Sequence, residues 1–232
     1  DHRDLHSFPT RRSSDLYRAR WQLLSERHLE KHNNYLANAS FSDLTVFETL
    51  FRLIPGDTHL HLGNSTPIRY AQLFDEASRY TTWSNRGTSG IDGCISTAAG
   101  AAAIGRHPVT VITGDIGFFY DSNALCNNHL PPSLRIIMIN NGGGNIFRVI
   151  PGPDRFEELE PYIETSHQFN AEGIAKTFGV KYYSVNDKAS LLKILPAFYG
   201  AQPDNQPVLL EVFTPAVTSA ETLRNYFKFI GS

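Results

Sequence analysis

Two clusters of ligand-type residues, each closing an apolar run, constrain this chain's fold more than any other feature. Val109-Thr110-Val111-Ile112-Thr113 leads into Gly114-Asp115-Ile116-Gly117, and Leu134-Arg135-Ile136-Ile137-Met138-Ile139 leads into Asn140-Asn141-Gly142-Gly143-Gly144-Asn145. Short apolar runs bounded by glycine-rich turns read as buried strands. An acid and a pair of amides therefore stand at the carboxyl ends of two strands, where open α/β sheets bind ligands. One carboxylate, one amide oxygen and backbone carbonyls are hard oxygen donors suited to Mg²⁺ or Ca²⁺, and Mg²⁺ completes its shell with water and substrate phosphate. Asp115 and Asn141 are the first two candidate metal ligands. The Gly143 carbonyl is the third, because glycine permits backbone conformations that a side chain forbids. Each has a plainer alternative: Asp115 as a cap for the segment after it, the glycines as a flexible turn.

The rest of the chain supplies the partners such strands need. Ser42-Asp43 precedes apolar residues at helical spacing and Pro55-Gly56-Asp57 stops them, so a helix, a turn and the strand 58–63 follow one another. Then come a helix over 68–78, a strand over 80–83, an Ala-rich helix over 91–104, the strand 109–113, a short helix over 122–129 and the strand 134–139. After the glycine turn, 149–164 carries prolines and acids and reads as a long ordered loop or a cover over the site. Helix 169–178, strand 180–185, helix 189–199, strand 207–213 and helix 219–229 complete the pattern. Strands alternating with helices predict a mostly parallel, doubly wound α/β sheet with helices on both faces.

The first residues differ from all of this. Residues 1–16 are charged and non-periodic, look like a non-native or disordered leader, and are expected to stand outside the fold. Residues 17–42 read as a mixed helical segment, a linker or the remnant of a preceding domain, leaving 43–232 as the α/β domain. His28 and His32 share a helix face, but Leu29-Glu30-Lys31 between them is not the His-Glu-x-x-His arrangement of a zinc helix. A solvated face is the expected role.

Composition narrows the function. With 41% hydrophobic and 19% charged residues, a net charge of −2 and a pI near 6.5, the chain has no electrostatic footprint for nucleic acid or an anionic membrane. No run approaches the roughly 20 apolar residues needed to span a bilayer, and nothing at the start has signal-peptide character. A cytoplasmic location follows by default. Cys94 and Cys126 form no Cys-x-x-Cys and are expected as buried free thiols.

Gly114-Asp115, an interval of about two dozen residues and then Asn140-Asn141 resemble the diphosphate-binding signature of thiamine diphosphate enzymes. The chain departs from that pattern at Ile116, where many of these enzymes carry glycine. Three further stretches are similar to the C-terminal cofactor-binding domain of the 2-succinyl-5-enolpyruvyl-6-hydroxy-3-cyclohexene-1-carboxylate synthases of menaquinone biosynthesis. These are Gly63-Asn64-Ser65-Thr66-Pro67-Ile68-Arg69, Ser84-Asn85-Arg86-Gly87-Thr88-Ser89-Gly90-Ile91-Asp92-Gly93 and Gly143-Gly144-Asn145-Ile146-Phe147. The second is the most specific, and the similarity runs from about Asp43 to Ile230.

The resemblance implies thiamine diphosphate held through Mg²⁺, or Mn²⁺, on Asp115, Asn141 and Gly143, with Ser89, Gly90, Ile91, Gly114, Ile116 and Ile146 also at the cofactor. Ile91 would be the apolar wedge that bends the cofactor, although an ordinary core isoleucine reads the same. Ser65, Arg69 and Arg86 would contact substrate, and the arginine fork suits carboxylates; surface ion pairing is the plainer alternative. Ile146, Phe147 and Ile150 would form an apolar wall, though simple packing gives the same letters. The implied reaction decarboxylates 2-oxoglutarate and adds the succinic semialdehyde unit to isochorismate. The activating glutamate of such enzymes lies on a separate pyrimidine-binding domain, and none precedes Asp43. The expectation is thus the C-terminal portion of a homodimeric or homotetrameric enzyme, inactive alone. A related 2-oxoacid decarboxylase or acetolactate-synthase-like enzyme would share Asp115 and Asn141, and a non-catalytic binding module would keep the fold alone. No Gly-x-Gly-x-x-Gly with a later acid supports a nicotinamide site.

Overall fold

The computed structural model describes residues 11–200 and 205–232, in two units. The smaller comprises the chain up to Ala39 together with Arg224–Ser232. Helix α1 (Arg11–Asn38) fills its first part. Residues 11–16, expected to stand apart, form its opening turns, since an established helix gains one backbone hydrogen bond for each residue added; residues 1–10 of the expected leader lie outside the described residues. His32 of α1 is buried rather than solvated, its Nδ1 2.9 Å from the Tyr226 hydroxyl, and Tyr35 packs edge-on to Tyr226 with centroids 5.5 Å apart.

The larger unit, Ser40–Leu223, is an α/β sheet domain. In chain order it contains α2 (Asp43–Leu53), β1 (His59–Leu62), α3 (Thr66–Ala71), β2 (Thr81–Trp83), α4 (Cys94–Ile104), β3 (Val109–Gly114), α5 (Asp115–Tyr120), β4 (Leu134–Asn140), α6 (Ile146–Val149), α7 (Glu172–Thr177), β5 (Lys181–Val185), α8 (Lys188–Tyr199) and β6 (Val208–Phe213). Helix α9 (Ala216–Gly231) begins here, and its residues from Arg224 belong to the smaller unit. The six strands pair in the order β2-β1-β3-β4-β6-β5, and every pair is parallel.

Period-two alternation sorts each strand's side chains between two cores. Leu134, Ile136 and Met138 of β4 pack with Val109 and Val111 of β3 against Ile95, Ala98, Ala99 and Ala102 of α4 and Ala175 of α7. The alanines keep α4 close to the sheet, and burying one such strand side chain contributes about 1.5–3 kcal/mol. On the opposite face Arg135, buried in mid-sheet, donates to the Phe198 and Gly200 carbonyls at the end of α8. Helices thus cover both faces.

Several boundaries differ from the sequence reading. Helix α4 starts at Cys94 rather than residue 91, because Gly93 sits in the left-handed region with φ 77° and serves as its N-cap. The stretch expected as a helix over 68–78 splits into α3 and a 3-10 turn over Asp75–Arg79, and the one at 122–129 is a 3-10 turn over Ser122–Leu125. The 149–164 stretch folds into short turns at Pro153–Arg155 and Leu159–Ile163. Both cysteines are free, but only Cys94 is buried, and burial raises its thiol pKa; Cys126 is exposed. Among the described residues no helix is long and apolar enough to cross a membrane.

The topology fixes where a ligand can sit. Strand β1 pairs with β2 on one side and with β3 on the other, so the chain's direction of travel reverses between β1 and β3. Such switch points open a crevice beyond the carboxyl ends of the strands. The β3–β4 register pairs Gly114 with Ile139, so Asp115 and Asn140 leave the sheet level with one another.

Candidate functional site

A cavity of about 220 Å³ opens at that crevice. The β1 exit supplies Asn64, Ser65, Thr66 and Pro67, the β3 exit supplies Thr113 to Gly117, and the β4 exit supplies Asn141 and the run from Gly143 to Phe147. Ile91 and Tyr120 close one part of the wall, and Ile163, Glu164 and Thr165 close another.

Asp115 opens α5 and is almost fully buried. Its Oδ2 accepts from the Gly142 and Gly143 amides at 2.8 and 2.9 Å, and its Oδ1 from the Ile116 amide at 2.7 Å. The carboxylate thus ties the β3 exit to the glycine turn, which is more than the capping role requires. A third group approaches Oδ2: His167 Nε2 lies 3.4 Å away without making a hydrogen bond. The His167 Nδ1 accepts from the Phe169 amide at 3.1 Å, so the proton of the neutral ring belongs on Nε2, facing Asp115. Phe169 stacks on that ring at 5.1 Å and Phe119 meets it edge-on at 5.4 Å.

Asn141 is oriented from the opposite side. Its Nδ2 donates to Asp43 Oδ2 at 2.9 Å, leaving Oδ1 buried without a hydrogen-bond partner among the described residues. Burial pushes the Asp43 carboxyl above the usual aspartate range, while hydrogen bonds from Thr214, Asn141 and Ser219 act against that rise. Asn145 Oδ1, at the far end of the turn, is a second buried and unpartnered amide oxygen on the cavity wall.

The glycine turn has no room for side chains. Gly143 has φ 152°, and a Cβ there would stand 2.8 Å from the Glu164 carbonyl oxygen. That carbonyl accepts from the Gly144 amide at 2.6 Å, and the Gly142 carbonyl accepts from the His167 amide at 3.0 Å, so residues 164–167 lie directly against the turn. Arg148 holds the Glu164 carboxylate through Nε at 2.7 Å and Nη2 at 2.6 Å, and Glu160 through Nη2 at 2.6 Å. The stretch expected as a loop or cover is therefore pinned as a wall.

A divalent cation fits this donor set. Asp115 supplies a carboxylate, Asn141 an amide oxygen without a hydrogen-bond partner among the described residues, and Gly143 a carbonyl that accepts from the Asn145 amide at 2.9 Å and has a second lone pair. These are oxygen donors only, as suits Mg²⁺ or Mn²⁺, and because the described residues contain no group of three or more His, Cys, Asp or Glu that could hold a metal, a cation here would rest on one carboxylate with amide and backbone oxygens.

Nine of the residues singled out in the sequence line the cavity: Ser65, Ile91, Gly114, Asp115, Ile116, Asn141, Gly143, Ile146 and Phe147. Arg69, Arg86, Ser89, Gly90 and Ile150 do not. Arg69 and Arg86 are nevertheless tied to its wall, the first donating to the Ser65 carbonyl at 2.6 Å and the second to Asn64 Oδ1 at 3.1 Å. Both arginines are exposed, and Ser89, expected at a helix start, lies five residues ahead of α4. Ser65 itself is held at φ 72°, a conformation that costs a non-glycine residue about 1–3 kcal/mol and tends to mark functional sites.

The family described as "Thiamine pyrophosphate enzyme, C-terminal TPP binding domain" matches residues 62–212. The chain belongs to that family. Among curated proteins, this thiamine pyrophosphate-binding domain is similar to three named 2-succinyl-5-enolpyruvyl-6-hydroxy-3-cyclohexene-1-carboxylate synthase. The one from Christiangramia forsetii is 45% identical over 87% of this chain and 35% of the relative. The Flavobacterium johnsoniae protein is 44% identical over 85% and 35%, and the Porphyromonas gingivalis protein 42% identical over 92% and 37%. The chain thus spans about a third of the length of these relatives. A solved structure of a candidate thiamin diphosphate-dependent enzyme from Mycobacterium smegmatis superposes with a TM-score of 0.59 at 18% identity, over 75% of this chain and 32% of that one. That likeness concerns the fold.

Proposed function

We propose that this domain holds thiamine diphosphate through a divalent cation, Mg²⁺ with Mn²⁺ as substitute, on Asp115, Asn141 and the Gly143 carbonyl. The observation that carries the metal is the buried Asn141 Oδ1, without a hydrogen-bond partner among the described residues, on a residue that lines the same cavity as Asp115. An orphaned buried oxygen costs about 1–3 kcal/mol, a cost that a cation coordinated there removes. Gly114, Ile116, Ile91 and Ile146 face the same cavity and are the residues assigned to the cofactor, with Ser89 and Gly90 in the adjoining segment.

The reaction proposed is that of the synthases named above, decarboxylation of 2-oxoglutarate and addition of the succinic semialdehyde unit to isochorismate. Thiamine diphosphate supplies the electron sink for such chemistry, and the protein supplies orientation and charge. Both substrates carry carboxylates. Arg69 and Arg86, exposed and hydrogen-bonded to the Ser65 carbonyl and to Asn64 Oδ1 on the cavity wall, are the residues assigned to pair with them. Ser65, Phe147 and Ile150 complete the substrate-binding set.

Calorimetry on the 232-residue chain with thiamine diphosphate, with and without Mg²⁺, tests the cofactor half. Metal-dependent heat is expected, and heat that ignores the metal would refute the site. The reaction is tested in a chimera in which this chain replaces the matching C-terminal region of the Christiangramia forsetii protein. Isochorismate-dependent consumption of 2-oxoglutarate is expected, and Arg69→Ala or Arg86→Ala in that chimera should lower kcat/KM at least tenfold. Turnover of 2-oxoglutarate that ignores isochorismate and both arginines would point to a different decarboxylase.

A further inference from the structure

An asparagine amide has two faces of nearly equal shape, and a half-turn about its last bond exchanges oxygen for NH₂. Nothing within Asn141 decides which face is presented. The decision comes from Asp43, 98 positions away in sequence. Asp43 Oδ2 accepts the amide's NH₂ at 2.9 Å, and the amide oxygen therefore points the other way. That oxygen is the buried, unpartnered Oδ1.

Asp43 is itself immobilised. It is 1% exposed, its backbone amide donates to Ser219 Oγ at 3.0 Å, and its Oδ1 accepts from Thr214 Oγ1 at 2.5 Å and Ser219 Oγ at 3.2 Å. Both oxygens of the carboxylate thus meet donors, and unlike Asp115, Asn141 and Gly143 the residue does not line the cavity. Three separate segments, the start of α2, the β6 exit and the start of α9, meet at this one side chain.

We propose that Asp43 is a positioning residue for cation binding: by accepting from Asn141 Nδ2 it fixes the amide oxygen as the face offered to the metal. This rests on the reading of Asp115, Asn141 and Gly143 as a divalent-cation site. Groups that orient a metal ligand from behind are worth about 10–100-fold in metal affinity. Without Asp43 the amide can rotate, and its NH₂ then confronts the cation.

The test is a Mg²⁺ titration of the 232-residue chain at fixed thiamine diphosphate, followed by calorimetry, for wild type, Asp43→Leu and Asp43→Asn, with thermal unfolding of each in the absence of metal. Asp43→Leu is expected to raise the half-saturating Mg²⁺ concentration about 10–100-fold. Asp43→Asn is expected to raise it by less, because the introduced amide can still turn its own oxygen toward Asn141. Metal-free unfolding reports the fold separately, and a purely structural Asp43 would lower it while leaving the Mg²⁺ midpoint in place. That outcome overturns the proposal. If Asp43→Leu does not fold, Asp43→Ala, which also removes the acceptor, decides, and a midpoint moved less than about twofold overturns the proposal. Absence of any Mg²⁺ dependence in wild type is a different result, and it sinks the cation site itself.

Discussion

Replacing Gly143 with alanine tests the claim that the glycine turn is held in place by the residues on both sides of it. Two costs add. With φ at 152° the backbone lies where L side chains rarely go, a strain of about 1–3 kcal/mol. The new Cβ would also stand 2.8 Å from the Glu164 carbonyl oxygen, 3.1 Å from Glu164 Cγ and 3.4 Å from Ser166 Cα. Glu164 cannot simply retreat, because its carboxylate is gripped by Arg148 and its carbonyl by the Gly144 amide. Overpacking against such fixed neighbours costs about 1–3 kcal/mol. The sum, about 2–6 kcal/mol, corresponds to a fall in Tm of about 4–24 °C for a chain of this size. Two further variants calibrate the assay. Gly144→Ala, with ordinary φ and contacts no closer than 3.2 Å, is expected to cost about 1–2 kcal/mol, and Gly56→Ala, with open space around it, less than about 0.5 kcal/mol. Thermal unfolding without cofactor or metal measures all three. A Gly143→Ala protein within about 0.5 kcal/mol of wild type, or one more stable than Gly144→Ala, would refute the reasoning.

Asp115→Asn is expected to keep the fold and lose the metal: its amide oxygen can still accept from Gly142 and Gly143, its NH₂ then faces the Ile116 amide at a cost of about 1–3 kcal/mol, and Mg²⁺-dependent thiamine diphosphate binding weakens at least tenfold by calorimetry. Glu211, fully buried, accepts from Asn140 Nδ2, the Ala171 amide and the Tyr182 hydroxyl; Glu211→Leu strands all three donors and should cost about 3–5 kcal/mol in urea unfolding, whereas a cost under 1 kcal/mol would show that they find other partners. His61 is buried and, chiefly through that burial with His59 adding to it, has its pKa lowered from 6.5 to about 4. The unfolded chain therefore binds a proton there that the fold refuses, and the contribution of His61 to stability, present above pH 6.5, is lost as pH falls toward 4. At about 1.4 kcal/mol per unit, and allowing for solvent screening, the loss should be about 1–2 kcal/mol; stability of His61→Leu minus that of wild type, measured at pH 7 and pH 4.5, should rise by that amount, and a flat difference would exclude the effect.

The strand framework was legible because it is a one-dimensional signal. β3, β4 and β6 are largely apolar runs bounded by turn residues, β1 alternates His and Leu, and alternation of strands with helical segments leaves few arrangements other than a parallel sheet covered on both faces. What the letters did not carry was where helices stop and start. Ile91 and Cys94 are equally apolar, yet α4 begins only at Cys94 because Gly93 adopts φ 77°, and glycine is as much at home in other conformations. The same limit applies to His32. Helical spacing places it on a face with His28, but only folding shows that Tyr226, 194 positions later, meets that face.

The site divides along the same line. Asp115, Asn141 and Gly143 announce themselves because strand ends, oxygen donors and glycines coincide in sequence, and the β3–β4 register then sets the two exits level. The groups that orient them leave no local trace. Asp43 follows Ser42 at a helix start, where an acid is ordinary, and His167 sits in a polar segment among Thr165, Ser166 and Gln168. Each meets its partner only in the fold: Asp43 accepts from Asn141, and His167 packs with its Nε2 3.4 Å from Asp115 without a hydrogen bond. A ligand's chemistry is a property of its residue type, but the direction it faces is set by whatever packs behind it. For Asn141 that difference is absolute, since the same side chain offers an oxygen or an NH₂ to the cavity according to whether an acceptor stands at position 43.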